Sequence, residues 1–400
     1  MNASTSLDMN LLYFRKKLGE GISRMIMNCD IVIIGAGPAG CACALALKEA
    51  GRDVVLVDKA NFPRDKICGD AIPGPAFKLM QKMNPEWGTA MKNFADTSEV
   101  KYSKGFSPNG KSFTVGWETF SYNSKRENFD NFLFQLVQKE TDTEIILGQR
   151  ADRLAYDEEG VECEIENGIK IHAKLVIGCD GARSIVSRQL ADYDIKEEAP
   201  FLAMRTYFKN VRGMEKDTNE FHFFKEIMPG YFWIFPLDNG WANVGFGFLK
   251  PYNSKNSLNM RKTLEEIIAS HPRIAPRFKG ADLIDKAKGF ALPISTKKRS
   301  VSGERFILCG DAASLINPIG GHGIDTAMWS GYFAAQQAIT CFEKNDFSSE
   351  ALEAFSSVIH TKFKKRFNRS YKAAKLTMTS HRVMNAIFNN GKLIKKLIDI

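Results

Sequence analysis

The string Gly35-Ala36-Gly37-Pro38-Ala39-Gly40 follows directly on an apolar run, Cys29-Asp30-Ile31-Val32-Ile33-Ile34, and the pair leaves this chain few folds to choose from. The run reads as a parallel strand buried on both faces. Pro38 to Ala50 is rich in helix formers, and Gly51 is expected to stop that helix. Gly35 suits the tight turn, Gly37 lets backbone approach a diphosphate, and Gly40 lets the helix pack closely on the strand. A diphosphate would meet free N–H groups and partial positive charge at the start of that helix, from Pro38 and Ala39 onward. A second strand, Asp53 to Asp58, ends in a carboxylate 23 residues after Gly35, followed by Lys59. An acid there accepts the hydroxyls of an adenosine ribose and would repel a 2′-phosphate. A lone glycine string arises often by chance; the strand–helix–strand context makes this one a dinucleotide site.

Two further strings extend the pattern: Cys179-Asp180-Gly181-Ala182-Arg183-Ser184 and Cys309-Gly310-Asp311-Ala312-Ala313, spaced from the first by roughly 140 and then 130 residues. Together the three resemble the FAD flavoproteins related to para-hydroxybenzoate hydroxylase. That resemblance implies Asp180 and Gly181 near the pyrophosphate, and Gly310 and Asp311 on the ribityl chain. Within that group the chain resembles the geranylgeranyl reductase family. The resemblance rests on Lys66-Ile67-Cys68-Gly69-Asp70, Arg126-Glu127-Asn128-Phe129-Asp130, Tyr231-Phe232-Trp233-Ile234-Phe235-Pro236 and Pro318-Ile319-Gly320-Gly321-His322-Gly323-Ile324. It implies Lys66, Cys68, Gly69 and Arg126 beside the cofactor, with Cys68 also at the substrate pocket. His322 departs from the family's run of small residues. Gly321, Gly323 and Ile324 open a helix whose N–H groups would face the N1–C2=O edge of the flavin, where the reduced form gathers negative charge.

The expected fold is α/β. A Rossmann-like FAD-binding domain is assembled from residues 29–75, 126–195 and 291–345. An antiparallel-sheet substrate domain, 76–125 and 196–290, is inserted into it, and a basic helical region covers 346–400. Helices are expected over 128–141, 257–270 and 322–342, and Asp238-Asn239-Gly240 reads as a hairpin turn. Tyr231, Trp233 and Phe235 recur at period two and so share one face of a strand. With Phe246 and Phe248 of the next strand they would form an aromatic wall facing the flavin, suited to an apolar substrate; a face packed on ordinary core is the other reading. The candidate catalytic residues are Tyr231, Trp233, His322 and Cys68. Arg64 could meet a phosphate or be a solvated loop charge, and Lys78 as a halogenase-type lysine carries little weight.

The formal charge of +9 has one location. From Val358 onward eleven Lys and Arg face Asp399 alone, whereas residues 1–357 hold 44 basic and 45 acidic groups. Phe363, Phe367 and Tyr371 recur every four residues among these cations. Such a stripe either docks on the core and leaves a solvated basic face, or makes peripheral contact with an anionic membrane. Residues 1–28 lack the features of a signal peptide. No apolar run reaches 18 residues. The eight cysteines lack metal-ligand spacing, so reduced thiols, a cytoplasmic setting and no metal are expected. No aromatic-and-basic platform suggests nucleic acid.

The resemblance implies hydride transfer from reduced flavin to C=C bonds of an isoprenoid or other apolar substrate. Electrons would come from NAD(P)H bound transiently or from another reductase, since no second nucleotide motif exists. The alternative on the same scaffold is an oxygen-using monooxygenase or halogenase. Halogenases carry Trp-x-Trp-x-Ile-Pro, of which only Trp233 and Pro236 stand here.

Overall fold

The computed structural model describes residues 26–390, apart from 95, 194–200, 250–257, 295–299, 319 and 378–379. The 1–28 leader therefore lies outside the described residues except for its last three. Those three belong to the first strand, Ile26–Ile34, which starts earlier than expected because Ile26, Met27 and Asn28 pair with Lys170, Ile171 and His172.

This strand is central in a sheet ordered Ser302–Gly303, Phe306–Leu308, Lys170–Gly178, Ile26–Ile34, Val54–Asp58, Glu144–Leu147. The last five strands run parallel, as the uninterrupted burial of Ile31 to Ile34 and of Val54 to Asp58 demands. The hairpin Ala151–Tyr156 and Val161–Ile165 adds antiparallel to the early half of Lys170–Gly178. The glycine helix is shorter than its composition suggests. It spans Pro38–Ala46, and residues 47–49 turn before Gly51, at φ 59°, enters the next strand. The helices expected over 128–141, 257–270 and 322–342 run Arg126–Glu140, Met260–Ser270 and Ile324–Lys344. Asn259 caps the second by accepting from the Lys262 N–H at 3.1 Å.

A second sheet is ordered Asp282–Leu283, Phe201–Lys209, Trp241–Leu249, Gly230–Pro236, Thr218–His222, Tyr102–Phe106, Ser112–Gly116, with Lys288–Leu292 also on Phe201–Lys209. The Asn-Gly hairpin joins Gly230–Pro236 to Trp241–Leu249, with φ 56° at Asn239 and 74° at Gly240. The sheet is not wholly antiparallel: Thr218–His222 runs parallel to Tyr102–Phe106. Its two faces have separate cores. Phe232, Ile234, Val244 and Phe246 pack under Leu264 and Ile267 of the helix Met260–Ser270. Tyr231, Trp233 and Phe235 gather with Phe201, Ile316 and Met384 on the other face.

The C-terminal region is helical, Ser349–Ile359, Lys365–Thr377 and His381–Phe388, with a π-helical turn at His360–Lys364. Its aromatic stripe docks inward. Phe367 is buried and Phe363 lies 6.4 Å from the Phe333 ring, both in the first core; Tyr371 packs on the Tyr231 cluster. Lys362, Lys365, Arg366, Arg369 and Lys372 remain exposed. No helix among the described residues is long and apolar enough to cross a membrane.

Candidate active site

Strand register brings the three glycine strings to one edge. Ile34 pairs with Gly178, and Gly178 with Leu308, so all three chains leave the sheet side by side. Gly35, at φ 103°, has no room for a side chain: a Cβ would stand 2.4 Å from the Cys179 carbonyl oxygen. At Gly40 a Cβ would fall 1.9 Å from the Gly35 oxygen, which is the close helix–strand contact expected there. Gly37 and Gly181 instead border open space, the nearest atom to a Cβ being Arg64 Nη2 at 3.5 Å for Gly37 and nothing within 4 Å for Gly181.

Asp58 is buried, with Oδ2 accepting from the Ala36 N–H at 2.7 Å and Oδ1 from the Ala60 N–H at 2.8 Å; Lys59 beside it is exposed. Asp180 Oδ2 accepts from the Ile185 N–H at 2.6 Å. Its Oδ1 is buried without a protein partner, and burial raises its pKa. Two glycines bordering open space, one of them at a helix start with its free N–H groups, form a cradle that a diphosphate-bearing dinucleotide fits.

A cavity continues from this edge toward the second sheet. One side carries Pro38, Lys66, Cys68, Gly69, Arg126 and Asp311, together with the stretch Gly320–Ile324 on either side of His322. The other side is Tyr231, Trp233 and Phe235, with Phe201, Ile316, Phe290 and Leu292. Every candidate catalytic residue lines this one space. Gly35, Gly37, Ala39, Gly40, Asp58, Lys59, Asp180, Gly181 and Gly310 do not line it, nor does exposed Lys78.

The polar side is knitted by charge. Lys66 Nζ lies 3.1 Å from Asp311 Oδ2. Arg126 donates through Nε and Nη2 to Asp130 at 2.7 Å each, and Arg64 Nη1 donates to Asp130 at 3.0 Å. Burial alone would raise the Asp130 pKa; Arg126, with Arg64 and Lys66 behind it, holds it below the usual carboxylate range. Cys68 lines the same cavity as Arg126. His322 Nδ1 is 3.1 Å from Asp325 Oδ1. Burial likewise opposes the ionised form of Asp325, but His322 together with the backbone N–H groups of Thr326 and Asp325 keeps that pKa low. Tyr231 Oη donates to the Gly320 carbonyl at 2.8 Å, tying the aromatic strand to the glycine loop.

The aromatic wall is narrower than the sequence suggested. Phe246 and Phe248 lie on the opposite face, because Phe246 pairs with Phe232 and Phe248 with Gly230. Opposite Tyr231 and Trp233 stand Gly247 and Gly245. A Cβ at Gly245 would sit 2.4 Å from Trp233 Cζ2, so the indole lies across the bare neighbouring strand.

Sequence reasoning missed the polar groups behind the wall. Arg205, 1% exposed, lines the cavity and donates through Nη2 to both Asp65 oxygens at 2.7 Å. Asp70, Tyr207 and Asn243 form a buried network under Trp233. Asp70 belongs to a string singled out above, but nothing in the linear pattern announces its partners.

The fold and the cradle define a flavoprotein oxidoreductase. Residues 28–361 match the family model described as the FAD binding domain. A digeranylgeranylglycerophospholipid reductase of Methanopyrus kandleri is 30% identical over 88% of this chain and 91% of its own length. A menaquinone reductase of Mycobacterium tuberculosis is 31% identical over 77% and 76%. A solved geranylgeranyl bacteriochlorophyll reductase-like structure from Thermoplasma acidophilum superposes with TM-score 0.76 at 22% identity, covering 94% of this chain and 100% of that one. A halogenase in complex with phloroglucinol and FAD has the same TM-score, 0.76, at 17% identity over 93% and 83%, a likeness of scaffold. The chain belongs to the FAD-binding-domain family and, within it, to the geranylgeranyl reductase group of FAD-dependent oxidoreductases.

Proposed function

We propose that this oxidoreductase saturates carbon–carbon double bonds of an isoprenoid or similar apolar substrate. The observation that carries the reading is the cavity itself: an aromatic wall, Tyr231, Trp233 and Phe235, shares one space with a glycine loop and a polar side that includes Lys66, Arg126 and Asp311. Bound FAD, once reduced, supplies a hydride equivalent to one alkene carbon, and a proton completes the other.

The chain's part is to bind, orient and deliver that proton. Gly35, Gly37, Pro38, Ala39 and Gly40, with Asp180 and Gly181, are assigned to the diphosphate, and Asp58 with Lys59 to the adenosine end. Asp311, with Gly310, is assigned to the ribityl hydroxyls, sharing its carboxylate with Lys66. Arg126 is fixed by Asp130 and steadies the cofactor side beside Cys68 and Gly69. N–H groups around Gly321, Gly323 and Ile324 would stabilise charge at the flavin edge. His322, anchored through Nδ1 on Asp325, leaves Nε2 to hold the proton. Tyr231 and Trp233 orient the alkene, and the apolar lining excludes water. The domain division is proposed as 29–75, 126–195 and 291–345 for cofactor, 76–125 and 196–290 for substrate, and 346–400 as a basic helical arm.

NAD(P)H, bound transiently, is the proposed reductant. The arm's exposed cations, on a chain with no acidic residue from Ala354 to Ile398, favour peripheral contact with an anionic membrane where such a substrate would reside. The oxygen-using alternative draws only on the shared scaffold, since the halogenase string is incomplete here.

The test is anaerobic. The flavoprotein is reduced, a geranylgeranyl lipid is added, and reoxidation is followed with mass analysis of the product. Reoxidation with two hydrogens gained per saturated bond is expected. A flavin that stays reduced until air enters would overturn the proposal in favour of oxygen chemistry.

A further inference from the structure

The indole of Trp233 is held by a buried chain of hydrogen bonds that crosses three strands and ends in the loop carrying Cys68. Trp233 Nε1 donates to Asn243 Oδ1 at 2.8 Å. Asn243 Nδ2 donates twice, to the Cys68 carbonyl at 2.8 Å and to Asp70 Oδ2 at 2.9 Å. Tyr207 Oη donates to the same Asp70 oxygen at 2.7 Å. Register makes the chain possible: Asn243 pairs with Phe235 on one side and Tyr207 on the other.

The Asn243 amide has one orientation only. Turned over, its NH2 would oppose the indole N–H and its oxygen would oppose two acceptors. Asp70 has no exposed surface and adopts φ 65°, a conformation disfavoured for any residue with a side chain. Its carbonyl accepts from the Ser124 N–H at 3.0 Å, two residues before Arg126. Gly69, beside it, would carry a Cβ 3.2 Å from Phe235. One network thus sets the plane of Trp233, the path of the Cys68–Gly69 loop and the approach to the Arg126 helix. Neither Asp70 nor Asn243 lines the cavity.

We infer that Asn243 and Asp70 are positioning residues that fix the Trp233 indole and the Cys68 loop relative to each other, and so set where an apolar substrate rests beside the flavin. The inference rests on the function proposed above for its kinetic meaning, but the network has a signature that needs no substrate. Burial pushes the Asp70 carboxyl up to about 6, against the lowering by Tyr207, Asn243, Arg205 and Arg126; Lys125 is the other cation that senses it. Its ionisation should therefore travel through Asn243 to the indole.

The experiment uses the FAD-loaded full chain labelled with 15N-tryptophan, with W233F assigning the resonance. In the wild type the Trp233 Nε1–H signal is expected to shift with a midpoint near pH 6. Asp70→Asn keeps an acceptor oxygen in place and should abolish the titration while the protein stays folded. A Trp233 signal that titrates identically in D70N, or never moves in the wild type, overturns the network.

The kinetic arm is a double-mutant cycle in anaerobic reoxidation by a geranylgeranyl lipid. Asn243→Leu should raise KM roughly tenfold, the usual cost of orphaning buried polar groups, with flavin content retained. In the W233F background the same change should add less than about twofold, since its target is gone. Equal effects in both backgrounds would refute action through Trp233. If the wild type turns over no alkene, the function proposal fails alone, and the resonance arm still decides the network.

Discussion

Replacing Asp130 with Asn removes one charge from a place where charge has nowhere else to go. Asp130 is fully buried and Arg126 is 3% exposed, joined by two hydrogen bonds of 2.7 Å. Asparagine keeps the shape but leaves the guanidinium buried against a neutral amide, and Arg64 loses its carboxylate as well. Breaking a buried ion pair by changing one partner costs about 3–5 kcal/mol. A chain of this size has an unfolding entropy of roughly 0.8 kcal/mol per degree, so the midpoint should fall by about 4–6 °C. Because the pair is buried, added salt should restore little of the loss.

Its pH dependence has a definite sign. Asp130 titrates lower when folded than unfolded, so its stabilisation is present above the unfolded value near 4 and is lost as pH falls through the lower folded one. The gap between wild type and D130N should therefore be full at neutral pH and close below about 4. The assay is thermal unfolding from pH 3 to 8, with and without bound FAD, alongside the ratio of flavin to protein absorbance. Arg126 lines the cofactor side, so flavin retention should fall too. A midpoint within about 1 °C of wild type at neutral pH, with flavin content intact, would refute the reasoning.

Other outcomes follow from neighbouring features. Gly245→Ala would drive a Cβ to 2.2 Å from the Met204 carbonyl, so a loss of about 1–3 kcal/mol in thermal unfolding is expected, with flavin binding retained but reoxidation by a geranylgeranyl lipid slowed. Asp70 acts oppositely to Asp130. Its raised folded value means that stability is full below about pH 4 and falls by roughly 3 kcal/mol as pH rises to about 6, and D70N should flatten that slope in a melt series. Reversing Lys365, Arg366 and Arg369 to Glu should abolish co-sedimentation with anionic vesicles, each cation contributing about 1 kcal/mol near such a surface, while flavin content stays unchanged.

How far these sites could be read beforehand depended on the range of the signal. The turn at Gly35 and the hairpin at Asn239-Gly240 are local, written in adjacent residues whose backbone needs are peculiar to them. The inward stripe of Phe363, Phe367 and Tyr371 was legible as a stripe, but its destination depends on what lies opposite. Phe246 and Phe248 show where linear pattern stops helping. Each alternates correctly along its own strand, yet the face is decided by pairing with Phe232 and Gly230, and a shift of one residue would reverse it. Asn243 and Asp70 were invisible for the same reason: they are 173 apart in sequence and meet only once the second sheet has its register. The parallel pairing of Tyr102–Phe106 with Thr218–His222 is equally a long-range event.

The side-by-side exit of Ile34, Gly178 and Leu308 also carries a message about synthesis. A nascent chain that has made its glycine helix owns only a third of the cradle, and it owns two thirds after Gly181. The remainder arrives with Phe306–Leu308 and Asp311, after the whole second sheet has been translated. The complete cradle thus exists only late in biogenesis, once distant parts of the polypeptide have found one another.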